Sequence, residues 1–204
     1  MNILKNKIGV IMKYKRVIAV IAILFVSTFI GKGLNGNSNL NAAETKSATK
    51  VYQLVSADKP IGKKAGDFVW QNGAKQVKFS EFTKGKYVLL NFWGTWCPPC
   101  RRELPDLVAI AKEMENKGLV VIGVAMENSR TAEEAFKTVA NFWDSKQLYY
   151  PVVVGNGDLA DAYGGITAVP STFLINKKGE IVASFQGGRS KEQFMEEINK
   201  MMKK

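Results

Sequence analysis

The residues of this chain best suited to chemistry are its only two cysteines, held in the run Trp96-Cys97-Pro98-Pro99-Cys100-Arg101. Two thiols with two residues between them, beside the start of an expected helix, can alternate between dithiol and disulfide within one short loop. There is no third cysteine to bridge elsewhere in the chain and no histidine to complete the usual Cys/His zinc sets. The pair is therefore a redox centre or a single local staple. Thiol exchange needs one accessible thiolate and a partner close enough to release it. Cys97 falls at a strand-to-helix junction, where free backbone N–H groups and the helix dipole favour a negative sulfur. A thiol of pKa about 8.5 is roughly 3% ionised at pH 7, and one lowered to about 7 is half ionised. That gain in thiolate, roughly fifteen-fold, is partly offset by weaker intrinsic nucleophilicity. Cys100, one turn further on, is expected to be more buried and to resolve the mixed disulfide. Pro98 and Pro99 stiffen the loop and remove two N–H donors that would steady a thiolate. With no histidine between the cysteines either, the centre leans toward reductant.

A strand and a helix must hold this loop. Residues 87–93 (YVLLNFW) form a continuous apolar run bounded by turns, as expected for a strand buried on both faces. After the cysteines, Leu104, Leu107, Val108, Ala111 and Met114 recur at helical spacing up to Gly118, with Pro105 expected to kink the helix. Residues 119–126 read as a second buried strand. Thr131 with Glu134 makes a capping-box pattern that opens a helix to about 145, followed by a strand at 149–154 and a short helix at 159–163. Residues 171–175 and 180–185 read as a hairpin, and Ser190 with Gln193 caps a last helix whose Phe194, Ile198 and Met201 share a face. Upstream, 52–66 shows no clear period. Segments 68–70 and 77–79 read as a hairpin turning on Asn72-Gly73, and Ser80 is placed to cap a short helical turn. Strands alternating with helices and closing on a hairpin and helix give an α/β sandwich around a mixed sheet.

The length of 204 residues suits one domain of about 150 residues plus a leader. The formal charge of +11 is unevenly spread: residues 1–43 carry six basic residues and no acidic one. Removing those six from 29 leaves 23 basic against 18 acidic groups, spread along the chain as a solvated basic surface. Nucleic-acid binding is not expected. Five positive charges precede 17–30, an apolar stretch broken only by Ser27 and Thr28, which is the layout of an export signal. At about 1.5 Å per residue this is short for a membrane span. The cleavage pattern near Ala42-Ala43 is poor, however, so a signal peptide and a retained anchor over 1–43 both remain open. A lipid-modified leader is excluded, because it would need a cysteine there. The segment 31–50, rich in Asn, Gly, Ser and Thr, reads as a tether, and the linker is expected to run over 44–60. Either leader places the domain outside the cytoplasm, in the cell envelope.

The run from Asn91 to Glu103 (NFWGTWCPPCRRE) resembles the active-site segment of the TlpA/ResA/CcmG-like thioredoxin-fold proteins, exported and often membrane-tethered thiol-disulfide oxidoreductases. The resemblance extends from Ala65-Gly66-Asp67-Phe68 to the last helix and includes Tyr163-Gly164-Gly165 and Val169-Pro170-Ser171-Thr172-Phe173. It implies a thioredoxin fold over 61–204, a central mixed β-sheet flanked by helices, with an N-terminal β-hairpin and a helix-strand insert at 131–154. By position, Pro170 matches the cis-proline of that fold, so Val169 would offer its backbone to a bound peptide as a short added strand. Asn91 stands where thioredoxins carry a buried aspartate, and Glu103 matches the glutamate that the ResA-like group has instead, tuning the thiols and moving protons. A solvated first-turn glutamate favourable to the helix dipole is the other reading of Glu103. Trp96, Pro98 and Pro99 would form the rim that a substrate meets, with Trp93 either beside them or in the core. Phe142, Trp143, Tyr149 and Tyr150 are read as core of the insert.

The resemblance implies disulfide-bonded protein substrates, apocytochrome c among them, and a membrane thiol reductant as electron source. No cofactor is expected, since no GxGxxG loop follows a strand. Two rivals are a non-catalytic thioredoxin-like binding module or chaperone with an idle disulfide, and a peroxiredoxin-type peroxidase. The peroxidase wants a threonine three residues before the reactive cysteine, where this chain has Gly94 and places Thr95 one position late. A copper carrier would need CxxxC and a histidine, both absent.

Overall fold

The computed structural model describes residues 49–60 and 62–203. The expected leader over 1–43 lies outside the described residues. Eight strands form one mixed sheet: β1 (Val51–Ala57), β2 (Phe68–Asn72), β3 (Lys75–Lys78), β4 (Tyr87–Trp93), β5 (Leu119–Ala125), β6 (Val152–Val154), β7 (Ser171–Ile175) and β8 (Ile181–Gln186). Their order across the sheet is β3-β2-β1-β6-β5-β4-β7-β8. Strands β1, β6, β5 and β4 run parallel, and β2, β3, β7 and β8 join as antiparallel hairpin partners at the two sides. The helices are α1 (Phe79–Phe82), α2 (Pro98–Met114), α3 (Ala132–Lys146), α4 (Gly157–Asp161) and α5 (Lys191–Met202).

Strand β4 is apolar apart from Asn91 because both of its faces are covered. Leu89 and Trp93 pack with Leu104, Leu107 and Ile110 of α2 and Phe194 and Ile198 of α5. Val88, Leu90 and Phe92 face the opposite layer, with Phe68, Phe79 and Leu159. The alternation follows from the period of two along a strand. It also places Asn91, a polar residue, on the α2 side of a fully buried strand, where its amide must find partners inside the protein.

Several local expectations are corrected. Residues 51–57 are a strand, although 52–66 shows no period and 44–60 reads as linker; β1 is held by β2 and by β6, which lies far off in sequence. In the β2–β3 hairpin Asn72 pairs with Lys75, so the turn is Gly73-Ala74, and only Gly73 takes a positive φ, of 58°. Ser80 does not cap α1; its N–H and that of Phe68 both donate to Asp67 Oδ1, at 3.0 Å each. The third strand is confined to Val152–Val154, and α4 begins at Gly157, capped by Asn156. Helix α2 runs unbroken through Pro105. The hydrogen bond that Pro105 cannot donate belongs to the carbonyl of Arg101, and both residues lie on the exposed side where water can replace it. The helix then tightens into a 3-10 turn and stops at Gly118, whose φ is 81°. The Thr131 cap and the full Ser190/Gln193 capping box both form; Glu134 reaches back to the N–H of Arg130 rather than of Thr131. One face of α5 buries Phe194, Ile198 and Met201.

Candidate active site

The two cysteines lie where β4 ends and α2 begins, bonded to each other with Cα atoms 5.3 Å apart. Cys97 is the N-cap residue of α2, and Pro98 and Pro99 occupy its first two positions. Those positions carry helix N–H groups that no carbonyl can reach, so proline costs nothing there and sets φ in advance. The next free donor, the N–H of Cys100, lies 3.3 Å from Cys97 Sγ, and the N–H of Arg101 reaches the Cys97 carbonyl at 3.1 Å. A thiolate at Cys97 would thus meet a backbone donor and the positive end of a seventeen-residue helix. Cys97 is more enclosed than the accessible thiol expected: it is 2% exposed, while its neighbours Trp96 and Pro98 are exposed. Cys100 is fully buried.

The loop before the cysteines is tied to the end of β5. The N–H and hydroxyl of Thr95 both donate to the carboxylate of Glu127, at 2.8 and 2.7 Å. The indole of Trp96, half exposed at 48%, donates to the Met126 carbonyl at 2.9 Å. Gly94 is required by that arrangement, since a Cβ there would lie 2.7 Å from Trp96 Nε1 and 3.0 Å from the Met126 carbonyl oxygen. The Thr95 hydroxyl is committed to Glu127, one residue too late for a peroxidatic role and already occupied. Nothing local in the sequence announces this clamp, because its partners are 32 residues apart.

Across from the disulfide, the Val169–Pro170 peptide is cis. The carbonyl oxygen of Val169 lies 3.6 Å from Cys97 Sγ, a contact in the disulfide and a hydrogen-bond acceptor for a reduced thiol. Ser171 braces the loop by donating to the Ala168 carbonyl at 2.8 Å, and Gly187 N–H closes on the Pro170 carbonyl at 2.8 Å.

Glu103 lies one turn beyond Cys100, on the same side of α2. It is 3% exposed, so the solvated first-turn reading does not hold. Its Oε1 accepts from Asn91 Nδ2 at 2.9 Å and its Oε2 from the N–H of Arg189 at 3.2 Å. Burial raises its pKa from 4.5 to about 7, against those two hydrogen bonds, which lower it; the nearby charge of Asp106 adds a smaller increase. Asn91 also donates to Thr172 Oγ1 at 3.0 Å, leaving its own Oδ1 without a partner among the described residues. Sequence reasoning missed Thr172, Arg189 and Tyr150 here. Tyr150 is fully enclosed, and its hydroxyl is pushed far up, chiefly by burial and then by the charge of Glu103. Trp93 is core, its ring tilted 43° to that of Phe142 with centroids 5.4 Å apart. Trp143 and Tyr150 are buried with the insert, as read from the sequence. No cluster of His, Cys, Asp and Glu that could hold a metal ion occurs among the described residues.

A family profile described as "AhpC/TSA family" matches residues 61–184. The thiol-disulfide oxidoreductase ResA of Halalkalibacterium halodurans is 39% identical over 157 residues, covering 74% of this chain and 84% of that one. This chain belongs to the ResA-like thiol-disulfide oxidoreductases of the AhpC/TSA family. Among solved structures it is similar to a thioredoxin-family thiol:disulfide interchange protein of Chlorobium tepidum, with a TM-score of 0.60, 30% identity, and coverage of 70% of this chain and 98% of that one. It is also similar to an exposed lipoprotein thioredoxin of Streptococcus pneumoniae, with a TM-score of 0.53, 30% identity, and coverage of 66% and 98%. Thioredoxin fold and disulfide oxidoreductase chemistry are thus common ground for the ResA-like proteins and this one, and its substrates are disulfide-bearing proteins.

Proposed function

We propose that this ResA-like protein is an extracytoplasmic reductase of protein disulfides, with Cys97 as attacking and Cys100 as resolving thiol. The Cys97 thiolate attacks one sulfur of a substrate disulfide, forming a mixed disulfide and releasing the other substrate sulfur as a thiolate. Cys100, deprotonated, then attacks Cys97 Sγ and releases the second substrate thiol. Two electrons and two protons pass to the substrate, and the Cys97–Cys100 disulfide remains. Glu103, whose pKa of about 7 suits proton exchange at neutral pH, takes the proton of Cys100. Val169 pairs its backbone with the substrate across cis-Pro170, and Trp96, Pro98 and Pro99 form the surface it rests on.

The observation that supports this reading is the contact of Cys97 Sγ with the Val169 carbonyl, 3.6 Å away, since a substrate paired with the Val169 backbone would lie beside that sulfur. The basic, apolar leader supports an exported location, and so does the similarity to an exposed lipoprotein thioredoxin, although this chain has no leader cysteine. Apocytochrome c thiols awaiting haem are one substrate class in this reading, and a membrane thiol protein restores the dithiol. Among the described residues no helix is long and apolar enough to cross a membrane. The Cys100→Ser protein, expressed in its native envelope, is expected to accumulate mixed disulfides with other proteins, and the Cys97→Ser protein is not. Identical gels for the two variants would end the proposal.

A further inference from the structure

We propose that the end of the domain opposite the disulfide is a docking surface for the anionic lipid headgroups of a membrane. The proposal rests on the exported location inferred above. One groove of about 480 Å3 is lined by Lys59, Lys64, Lys78, Lys84, Lys177 and Lys178, against only two carboxylates, Asp58 and Asp67. Asp67 is already committed to two backbone N–H groups and to Lys78 Nζ at 3.4 Å. Glu180 stands nearby, held by Asn176 Nδ2 at 2.9 Å. Lys59, Lys84, Lys177 and Lys178 are all exposed and have no ion pair within 4.0 Å among the described residues.

The floor between these charges is apolar, formed by Ala65, Phe79, Val88 and Ile175. A second groove shares the turn 176–178 and adds Tyr87, Leu174, Met201 and Val182, an exposed apolar side chain. Lys177 Nζ lies over the Tyr87 ring, 5.0 Å from its centre, and Lys86 Nζ over that of Phe82 at 4.8 Å, so cations and aromatic surface adjoin at this end. Cations around apolar floors match a layer in which negative headgroups and carbon arrive together, better than they match a small free anion.

Placement keeps the redox loop clear of such a layer. Strand β4 starts at Tyr87, next to Lys84 and Lys86, and climbs seven residues, about 20 Å, before reaching the cysteine loop. A membrane met at this end leaves Cys97 facing outward, more than two screening lengths of about 8 Å away.

The test uses the full chain with vesicles of phosphatidylcholine alone or mixed with phosphatidylglycerol, reading lysine acetylation rates by mass spectrometry. Lys59, Lys84, Lys177 and Lys178 are expected to react about fivefold more slowly or less on the phosphatidylglycerol vesicles, returning to parity at high salt. Lys137, on the outer side of α3, is expected to react equally in both. In a protein carrying Lys84→Gln, Lys177→Gln and Lys178→Gln, the protection of Lys59 should vanish while insulin reduction without vesicles is retained. Equal rates on the two vesicles, protection of Lys137 alongside the others, or equal protection by dissolved glycerol phosphate would each overturn the proposal. None of these outcomes bears on thiol exchange, which the cysteine variants test separately.

Discussion

Replacing Glu103 by glutamine removes a buried group whose ionisation folding opposes. In the unfolded chain its carboxyl titrates near 4.5, and in the folded protein near 7. Below pH about 4.5 it is neutral in both states and affects stability in neither. Between 4.5 and 7 the unfolded chain gives up a proton that the folded one keeps, so stability falls as pH rises. Above 7 both forms are charged and the loss is complete. A shift of two and a half units at 1.36 kcal/mol each makes the loss about 3 kcal/mol. Glutamine is neutral throughout, so the stability of Glu103→Gln relative to the parent should rise by about 3 kcal/mol between pH about 4.5 and 8. A constant offset is expected as well. The carboxylate accepts from both Asn91 and Arg189, whereas a glutamine brings one acceptor and one NH2 group. The conflict is relieved if the Asn91 amide turns over and presents its unpartnered Oδ1 to the new NH2. That rearrangement does not depend on pH. Urea denaturation of both oxidised proteins across this range, with equal m-values, measures the difference. Curves that stay parallel from acid to neutral pH would mean that Glu103 titrates normally, and the proton role assigned to it would lose its basis.

Glu127→Gln keeps one acceptor for Thr95 but loses the charge, and should cost about 1–2 kcal/mol; hydrogen exchange at the Thr95 amide should quicken, and unchanged protection would show that the clamp is idle. Gly94→Ala pushes a methyl group against Trp96 Nε1 and the Met126 carbonyl, so a loss of about 1–3 kcal/mol is expected in thermal melts, with a shift of indole emission. Leu107→Ala, in the fully buried seam between α2 and the sheet, should cost about 2–5 kcal/mol while leaving the disulfide's reduction potential unchanged. A moved potential there would mean that the core and the redox loop are coupled through α2.

The cysteine pair and the capping residues Thr131 and Ser190 were legible because each acts through neighbours within a few residues, in a pattern that one sequence can display, whereas Pro170 and Glu103, whose partners are distant in sequence, were singled out only by the family resemblance. Strands β4 and β5 were equally plain, since burial on both faces leaves an uninterrupted apolar run. Strand β1 was not, because its pattern mixes Tyr52, Gln53 and Ser56 with apolar residues and its pairing comes from β6 and β2. The hairpin turn was placed one residue early: Asn-Gly is a strong signal, yet pairing of Asn72 with Lys75 makes glycine the first turn residue. The Thr95–Glu127 clamp and the Asn91–Thr172 bond span 32 and 81 residues, and no spacing rule links such pairs. Burial of Glu103 was not legible in the residues around it, since a glutamate near the start of a helix is ordinarily at home in water.

Trp96 holds its ring half in solvent, pinned by one bond to Met126 and adjacent in sequence to Cys97. An indole so placed is a built-in optical gauge. A disulfide quenches nearby indole emission, so opening the Cys97–Cys100 link should brighten this ring. A polypeptide settling over Val169 would then cover it and shift its colour toward the blue, allowing electron transfer and substrate arrival to be followed in one cuvette without a label.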